Sequence, residues 1–449
     1  MLARTSHPDI ERLYWSPDRI HDYQLARLRD SLVRAARSKF YAPRLAGVRI
    51  DSLDDLSRLP LTSKDDLRAA SPFGLVAVDR EQLFQYHESF GTTGTPVSSW
   101  LTRGDFQNYA TQINHSAVDF RPGDRVLVRF PYAISVPAHI FTHAARERGA
   151  CAIPAGSRTA VTPYTRVIDL LSKLEATVLG CLPMEAIWLA ETARAMGRDP
   201  AKDFPHLRAI CTAGELMTAP RRARIAALWN TRVYNLYGCT EAGNIAADCD
   251  AGRLHLSWDH FLVEVLDEST HRPVAPGALG LATLTTLTRE AMPLVRFVLG
   301  DSIRLVTDHR CPCGRTAPII EHYGRDLNRF TFAGRTFFVR DVEERLLVAP
   351  VEAVGNLWLL EVRPAEVRFR VEAQQPDVTL YHRLEKRLRD DLDLPLVIDP
   401  VPPGALLDRS WLLKVEPVNK PRVVGYATDP GGPSLSLGDV MGSQSPSDR

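Results

Sequence analysis

Residues 88–96 read Glu88-Ser89-Phe90-Gly91-Thr92-Thr93-Gly94-Thr95-Pro96, a run of hydroxyl side chains and glycines. Glycine lets the backbone turn where a side chain would clash, and the hydroxyls add donors beside exposed N–H groups, which is what a polyphosphate requires. The run is not the nucleotide-binding P-loop, because no Lys-Ser or Lys-Thr pair closes it. Its composition fits a polar surface turn equally well. The choice between these interpretations therefore depends on the rest of the chain.

The middle of the chain alternates short β-rich runs with helical runs. The β-rich runs lie at 126–128, 151–153, 177–179, 209–211 and 233–234, and the helical runs at 139–148, 166–174, 185–196 and 221–228. This alternation predicts an α/β domain with a largely parallel sheet. Because ligands of such sheets bind at the carboxyl ends of the strands, we expect the functional residues there.

Polar motifs follow two of the predicted strands. Ala213-Gly214-Glu215 follows the run at 209–211, and Tyr237-Gly238-Cys239-Thr240-Glu241 follows the run at 233–234. A glycine beside an aromatic residue suits the close approach of a flat ring, and a hydroxyl beside a carboxylate suits a phosphate with its magnesium ion. A β-turn with an acidic residue is the alternative for either motif. Their shared position at strand ends favours a nucleotide site.

After residue 259 the β-rich runs at 262–266, 279–287 and 294–306 have no helices between them, which predicts a small antiparallel subdomain. Within it, Gly300-Asp301 follows an apolar strand pattern. The Asp301 carboxylate there could accept both hydroxyls of a ribose, although a Gly-Asp pair is also common in simple turns.

The predicted organisation is a large N-terminal domain at 1–323, with the β subdomain at about 250–323, and a small C-terminal α+β domain at 324–427. The small domain contains β-rich runs at 358–362 and 367–371 and a helix at 378–392. Residues 428–449 are rich in Ser, Gly and Pro and predict a disordered tail. Near the N-terminus, an amphipathic helix is predicted at 23–40, and Ser63 is predicted to cap another helix whose first turn is acidic.

The composition is that of a soluble globular protein: 449 residues, of which 45% are hydrophobic and 24% charged. A net charge of +1 gives no reason to expect nucleic acid or an anionic membrane as a partner. No apolar run approaches the ~18 residues that span a bilayer, and the first residues lack the apolar core of a secretion signal. We therefore expect a cytoplasmic protein.

The cysteines include a set with zinc-ligand chemistry. Cys249, His255, Cys311 and Cys313 supply three thiols and one imidazole, the ligands of a closed tetrahedral zinc site. Such a structural site would join two β-loops of a subdomain with little core of its own. Free cysteines are the alternative, because Cys-x-Cys spacing is less diagnostic than Cys-x2-Cys. Of the four remaining cysteines, three lie in apolar strand-like runs and are expected in the core; they are Cys151, Cys181 and Cys211.

Taken in order, these motifs resemble those of the adenylate-forming enzymes and, within them, of the phenylacetate–CoA ligase family. Residues 61–68 and 71–75 resemble the opening segment of the family, 89–96 its phosphate loop, 237–241 its Tyr-Gly-x-x-Glu motif and 293–301 its Pro-x-x-Arg-x-x-x-Gly-Asp motif. Residues 311–316 and 324–326 also follow its pattern. The resemblance extends from about residue 23 to 426. It implies the adenylate-forming fold, in which a small C-terminal domain is mobile.

The resemblance also implies a two-step reaction. A carboxylate attacks the α-phosphate of ATP to give an acyl-adenylate, and a thiol, usually that of CoA, then displaces AMP. Such chemistry needs positioned donors and a cation more than a covalent nucleophile. By resemblance, the β- and γ-phosphates are held by Ser89, Thr92, Thr93 and Gly94. Thr240 contacts the α-phosphate, Glu241 holds Mg²⁺, and Asp301 binds the ribose. The adenine is framed by Gly214, Glu215 and Tyr237, with Gly238 in the same motif, and Arg325 closes on the nucleotide.

A lysine of the small domain completes the implied site. Asn419-Lys420-Pro421-Arg422-Val423 best fits the Gly-Lys-x-x-Arg-Val pattern of the family, with Asn in place of Gly, and Lys414 is the second candidate. The small domain is implied to rotate about Asp326 between the two half-reactions.

Two short apolar segments are the predicted walls of the acid pocket. They contain Phe130 and Tyr132 in one segment and Pro183 in the other, and neither contains a cation. These walls suit a flat aromatic acid, although plain core is as good an interpretation. The leading hypothesis is an ATP- and Mg²⁺-dependent aryl-acid–CoA ligase. Adenylation with an amine, a carrier-protein thiol or a small nitrogen nucleophile as acceptor stays open, as do a nucleotide-binding scaffold and a homodimer.

Overall fold

The computed structural model describes residues 8–89, 95–308, 310–414, 422–427 and Leu437. Within these residues the strands form one large mixed sheet, two two-stranded sheets and one four-stranded sheet, with helices between them. The predicted α/β class is therefore confirmed. None of the described helices is both long enough and apolar enough to cross a membrane.

The described helices are α1 (Pro8–Glu11), α2 (Pro17–Ala35), α3 (Lys64–Ala70), α4 (Arg103–Asn114), α5 (Pro137–Glu147), α6 (Tyr164–Lys173), α7 (Pro183–Ala195), α8 (Ala219–Trp229), α9 (Val339–Leu346), α10 (Val378–Leu392) and α11 (Arg409–Leu412). The described strands are β1 (Gln85–Glu88), β2 (Ser98–Leu101), β3 (Arg125–Val128), β4 (Cys151–Pro154), β5 (Val178–Cys181), β6 (Ala209–Ala213), β7 (Arg232–Cys239), β8 (Gly243–Asp248), β9 (Leu254–Leu256), β10 (Phe261–Leu266), β11 (Gly280–Thr286), β12 (Phe297–Val306), β13 (Ile319–Gly324), β14 (Arg329–Phe332), β15 (Arg335–Phe338), β16 (Trp358–Val362), β17 (Val367–Glu372), β18 (Leu396–Val401) and β19 (Val424–Tyr426).

Helix caps set several of these boundaries. The Ser63 hydroxyl accepts a hydrogen bond from the Asp66 N–H at 3.1 Å, and the Asp66 carboxylate accepts one from the Ser63 N–H at 2.8 Å. This reciprocal capping box satisfies donors that the first turn of a helix leaves unpaired. Helix α2 begins earlier than predicted, after Ser16 with Pro17 in its first turn, because proline there already has helical φ and lacks the N–H that would be unpaired.

The chain divides into two compact units. The first comprises Met1–Pro154, Cys211–Gly214 and Tyr234–His322, and the second comprises Ala155–Ile210, Glu215–Val233 and Tyr323–Arg449. The predicted domain boundaries at 323 and 427 stay a prediction, and so does the disordered tail, which apart from Leu437 lies outside the described residues.

In the first unit, neighbouring strands follow the order β10-β11-β12-β13-β9-β8-β7. Strands β10, β11 and β12 pair antiparallel, as predicted for this region, and β9 also pairs antiparallel with β8 and β13. Strand β12 begins at Phe297 and not at the predicted residue 294, because Arg296 has a φ of 45°, which interrupts the extended backbone. Strands β3 and β4 pair in parallel, and β1 and β2 form an antiparallel hairpin.

The cysteines expected in the core differ in burial. Cys181 and Cys211 are buried, as predicted, but Cys151 is exposed. The prediction for Cys151 was wrong because β4 is the last strand in the order of its sheet, where one side of the strand has no neighbour to cover it.

In the second unit, helix α8 is joined to α9 by a buried ion pair. Arg221 on α8 donates to the Glu343 carboxylate on α9, and the Thr218 hydroxyl donates to the same carboxylate at 2.9 Å. Arg221 and Glu343 are 5% and 0% exposed. The Arg224 guanidinium adds hydrogen bonds to backbone carbonyls of residues 347–355. The four-stranded sheet of this unit has the order β18-β17-β16-β19.

Candidate active site

The turn between β7 and β8 carries two of the predicted nucleotide ligands. Strand β7 ends at Cys239, which pairs with Gly243, so Thr240 and Glu241 lie in a short turn in which Glu241 is buried. The chain can make this approach only with glycine at 238, because a Cβ there would lie 2.1 Å from the Gly243 carbonyl oxygen. The sequence therefore directs a hydroxyl and a carboxylate into one tight turn.

Tyr237 and Asp301 meet, although 64 residues separate them. The Tyr237 hydroxyl donates a hydrogen bond to Asp301 Oδ2 at 2.9 Å, and both residues are buried. His322 lies on the other side of the carboxylate, with its Nε2 3.5 Å from Asp301 Oδ1 and its ring 4.6 Å from the Tyr237 ring. Sequence reasoning found Tyr237 and Asp301 but missed His322, because its only local context is an ordinary strand.

The end of β6, which leads to Gly214, lies beside the start of the Tyr237 motif. Thr212 donates from its hydroxyl to the Tyr234 carbonyl at 3.1 Å and to the Asn235 side-chain oxygen at 3.0 Å. Gly214 itself has a φ of 85°, a conformation that favours glycine. Two of the predicted strand-end motifs are thus adjacent in the first unit.

A buried arginine lies next to the Thr240 turn. Arg289 Nη2 donates to the Ser99 hydroxyl at 3.0 Å, and that hydroxyl donates to the Thr240 carbonyl at 3.0 Å. Desolvation lowers the pKa of Arg289 to about 10, while the charge of Asp105 opposes the shift, so Arg289 stays a cation at neutral pH. Its Nη1 has no hydrogen-bond partner within the described part of the chain. Sequence reasoning looked for a cation in the pocket walls and missed this one.

The turn that carries Arg289 is fixed by Asp105, the third residue of α4. The Asp105 carboxylate, 1% exposed, accepts hydrogen bonds from the backbone N–H groups of Glu290 at 2.6 Å and Ala291 at 2.9 Å. It also accepts from the Thr102 N–H at 3.0 Å and so closes the cap of α4. A hydrogen-bonded carboxylate at a helix start is a rigid support, and here it holds the arginine turn.

His87 faces the same region from the β1–β2 hairpin. It pairs directly with Ser99 across the hairpin, so both side chains project from the same face. Its Nδ1 lies 3.1 Å from the Ile134 carbonyl oxygen and must therefore be the protonated nitrogen, since a carbonyl only accepts. Desolvation is the main cause that lowers the pKa of His87 to about 4, with a smaller contribution from the charge of Arg289. His87 is thus a neutral, buried neighbour of Ser99.

Of the four predicted phosphate ligands, only Ser89 lies within the described residues. The Ser89 hydroxyl accepts from the Val97 N–H at 3.0 Å, and the Ser89 N–H donates to the Val97 carbonyl at 3.1 Å. These two bonds close the base of the loop that contains the predicted ligands. Thr92, Thr93 and Gly94 lie outside the described residues.

The predicted pocket walls of the first unit differ in character. Phe130 is buried and packs edge-on against Phe141, with ring centroids 5.3 Å apart. Tyr132 is half-buried, and its hydroxyl shares a hydrogen bond of 2.7 Å with Thr142. Its backbone carbonyl accepts from His139 Nε2 at 2.8 Å. Phe130 therefore contributes to the core, whereas Tyr132 presents part of its surface.

The second unit contains the remaining predicted site residues. Pro183 is the first residue of α7, and Glu215 Oε2 accepts from the Met184 N–H at 3.0 Å, so this carboxylate caps α7. The Arg325 N–H approaches the Asn328 side chain at 3.4 Å, and the neighbouring Asp326 pairs with Arg329 at 2.5 Å.

The two candidate lysines follow α11. Lys414 is exposed just after the helix ends, and Lys420 lies outside the described residues. Upstream, Arg409 on α11 pairs with Glu191 at 3.0 Å and with the buried Glu372. Glu372 Oε1 also accepts from three backbone N–H groups at 3.0–3.3 Å, those of Gly404, Leu406 and Leu407. The approach to the lysine segment is therefore firmly anchored.

The predicted zinc ligands converge in the first unit. One ligand atom from each of Cys249, His255, Cys311 and Cys313 lies within 4.8 Å of the others. The Cys311 sulfur is 3.7 Å from that of Cys249 and 3.3 Å from that of Cys313, and Cys313 Sγ is 3.5 Å from His255 Nε2. His255 Nδ1 donates to the Ala317 carbonyl at 2.7 Å, which leaves the Nε2 lone pair for a metal.

Comparison with known proteins identifies the family of the chain. The model of the AMP-binding enzyme family matches residues 47–281. The phenylacetate-coenzyme A ligase of Thermus thermophilus is 31% identical, over 78% of this chain and 84% of that protein. The enzyme of the same name from Escherichia coli is 28% identical, over 85% of this chain and 88% of that protein.

A crystal structure of 2-hydroxyisobutyryl-CoA ligase in the postadenylation state, in complex with R3-HIB-AMP, has the same fold. Its TM-score is 0.81 at 22% identity, with 96% of this chain and 94% of that chain covered. The predicted adenylate-forming fold is thereby confirmed.

Proposed function

The chain belongs to the AMP-binding enzyme family and is an AMP-forming acid–CoA ligase, and we propose that the acid it activates is aromatic. ATP and the acid give an acyl-adenylate and pyrophosphate, and the CoA thiol then displaces AMP. The nucleotide contacts proposed for this reaction are those that the sequence resemblance implies.

One observation carries the assignment of the nucleotide site. The Tyr237 hydroxyl holds Asp301 Oδ2 at 2.9 Å, and His322 lies against the other carboxylate oxygen. A buried carboxylate fixed in this way can accept two adjacent hydroxyl donors without reorganising, which is what a ribose diol offers. Thr240 and Glu241 follow Tyr237 closely and are proposed to contact the α-phosphate and Mg²⁺.

The case for an aromatic acid rests on Tyr132, whose half-buried ring offers a flat apolar surface. ATP–pyrophosphate exchange with a panel of aryl and aliphatic acids tests it. Exchange with aryl acids, together with a raised KM for the acid but not for ATP in Tyr132→Ala, supports the proposal. Exchange with aliphatic acids alone would refute it. AMP release without CoA consumption would instead favour an amine or carrier-protein acceptor.

We propose Lys420 as the lysine that serves adenylation. Lys420→Ala should abolish ATP–pyrophosphate exchange while leaving thioester formation from preformed adenylate. Lys414→Ala is the matched variant, because Lys414 is exposed on the same segment. Loss of exchange in Lys414→Ala alone would transfer the role to Lys414.

We propose that Cys249, His255, Cys311 and Cys313 bind a structural Zn²⁺. Zn–S bonds of about 2.3 Å in a tetrahedron put sulfurs about 3.8 Å apart, close to the 3.7 Å between Cys249 and Cys311. Four protein ligands leave no position for substrate, so the ion would stabilise the loops before β9 and β13. Cys311→Ser should lose the zinc and lower the melting temperature, whereas Cys151→Ser should not. Unchanged zinc content in Cys311→Ser would contradict this site.

Mg²⁺ with ATP and a cytoplasmic location complete the proposal, and both rest on the sequence alone. A homodimer stays open. Size-exclusion chromatography with light scattering decides the subunit count.

A further inference from the structure

A second group of metal-ligating side chains lies in the first unit. His115, Asp259 and His260 each offer one ligand atom, and these atoms all lie within 4.8 Å of one another. The three residues are 1%, 0% and 4% exposed. His115 follows α4, and Asp259-His260 is in the turn between β9 and β10. Neither the sequence patterns nor the proposed reaction uses this group.

Each imidazole has a hydroxyl partner at Nδ1. His115 Nδ1 lies 3.2 Å from the Ser257 hydroxyl, and His260 Nδ1 lies 2.8 Å from the Thr288 hydroxyl. A partner on one ring nitrogen is the arrangement that fixes the orientation of a metal-ligating histidine. For His260 it leaves Nε2 as the ligand atom that faces Asp259.

His260 Nε2 supplies a second, independent observation. It is buried and has no hydrogen-bond partner in the part of the chain that the structure describes, and it lies 3.6 Å from Asp259 Oδ2. A buried imidazole nitrogen without a hydrogen bond costs free energy unless another ligand compensates. In a tetrahedral site with bonds of about 2.05 Å, two such ligand atoms would lie about 3.3 Å apart. A small contraction therefore brings this pair to metal-ligand spacing.

We propose that His115, Asp259 and His260 bind a divalent transition-metal ion of the zinc type, as a second metal centre. Two imidazole nitrogens and one carboxylate oxygen suit borderline ions of this class better than Ca²⁺ or Mg²⁺, which prefer oxygen ligands. The remaining coordination position is filled by water or by the second oxygen of Asp259. Because the group is buried, the ion stabilises the turn between β9 and β10 against the end of α4.

Two arginines lie near this centre. Arg12 Nη1 is 3.8 Å from Asp259 Oδ2 and its side chain is 24% exposed, so it can supply the counter-charge of Asp259 when no metal is bound. Arg315 Nη2 donates to the His115 carbonyl at 2.6 Å. The competing arrangement is a metal-free network of Arg12, Asp259 and His260. Metal binding must therefore be more favourable in free energy than the ion pair between Asp259 and Arg12.

The second centre is close in structure to the Cys249–His255–Cys311–Cys313 group. Arg315 links them, since its backbone N–H approaches Cys313 Sγ at 3.4 Å while its side chain holds the His115 carbonyl. Ser257, which orients His115, is two residues from His255. The test must therefore count ions separately for each group.

The experiment measures zinc per chain in full-length protein after equilibration with Zn²⁺ and removal of free metal. We expect two ions in the wild type, one in His260→Gln and one in Cys311→Ser. His271→Asn is the matched control and keeps two, because His271 is exposed with a φ of 53°, which asparagine tolerates. A wild-type ion count that His260→Gln leaves unchanged overturns the proposal.

Cobalt titration of metal-free wild-type protein decides the question without any variant. Co²⁺ bound by three thiolates gives intense sulfur-to-metal charge-transfer absorption, whereas Co²⁺ bound by two imidazoles and a carboxylate gives weak bands only. Saturation at two equivalents, with only one showing charge transfer, supports the second centre. Saturation at one thiolate-type equivalent overturns it, even if His260→Gln fails to fold.

Discussion

Replacing Tyr237 by phenylalanine tests the nucleotide site directly. The change removes one hydroxyl, which donates to Asp301 Oδ2 at 2.9 Å, and leaves the ring that lies against His322 in place. A hydrogen bond to a charged group contributes about 1.5–3 kcal/mol, or roughly 10- to 150-fold in a binding constant. His322 at 3.5 Å from Oδ1 stays as a partner of Asp301. We therefore expect an effect at the lower end of this range, which is about a tenfold rise in the KM for ATP.

The assay is ATP–pyrophosphate exchange with ATP and with 2′,3′-dideoxy-ATP. If Asp301 binds the ribose hydroxyls, Tyr237→Phe should raise the KM for ATP and change that for the dideoxy analogue little. Tyr234→Phe is the matched control, because residues three apart on a strand point to opposite faces. An unchanged KM for ATP in Tyr237→Phe, or an equal rise for both nucleotides, would refute the role given to Asp301.

Three further variants test the surroundings. Arg289→Gln removes a charged donor to Ser99 and should lower kcat/KM for adenylation by about tenfold or more; an unchanged exchange rate would exclude Arg289 from the site. The pKa of His87 is about 4 in the folded chain and about 6.5 in the unfolded chain. Because the unfolded chain takes up the proton more readily, the contribution of neutral His87 to stability is complete above pH 6.5 and is lost as the pH falls towards 4. The drop in melting temperature from pH 7 to pH 5 should therefore be smaller in His87→Gln than in the wild type, and an equal drop would contradict the shift. Glu343→Gln leaves the buried Arg221 uncompensated, at a cost of about 3–5 kcal/mol, and should lower the melting temperature by several degrees, whereas the exposed Glu352→Gln should not.

The sequence predicted best what depends on neighbouring residues. Ser63 and Asp66 are three residues apart, so their capping box is visible in the sequence, and helix α10 coincides with the predicted 378–392 because its apolar periodicity and its Asp377 cap are local. The strand runs were located within a few residues for the same reason. Resemblance assigned Tyr237 and Asp301 to one nucleotide site, but the hydrogen bond between them is found only in the structure, because no local pattern contains it.

The missed residues all depend on contacts between distant parts of the chain. Arg289 becomes significant only because α4 supplies Asp105 and β2 supplies Ser99, and His322 only because β13 brings it to Asp301. Cys151 has an apolar context, but its exposure follows from the position of β4 at the sheet edge. A single sequence does not display such long-range partners, so burial and pairing of polar residues were the least predictable features.

The buried ion pair between α8 and α9 bears on the domain rotation that the resemblance implies. A rotation of residues 324–427 about Asp326, as the resemblance implies, would separate Arg221 from Glu343 and detach Arg224 from its carbonyl acceptors. Both charges would pass through an incompletely solvated arrangement before water reached them. Opening of the pair would therefore add to the free-energy cost of the rotation, and a variant with a weaker pair should reach the rotated state more readily.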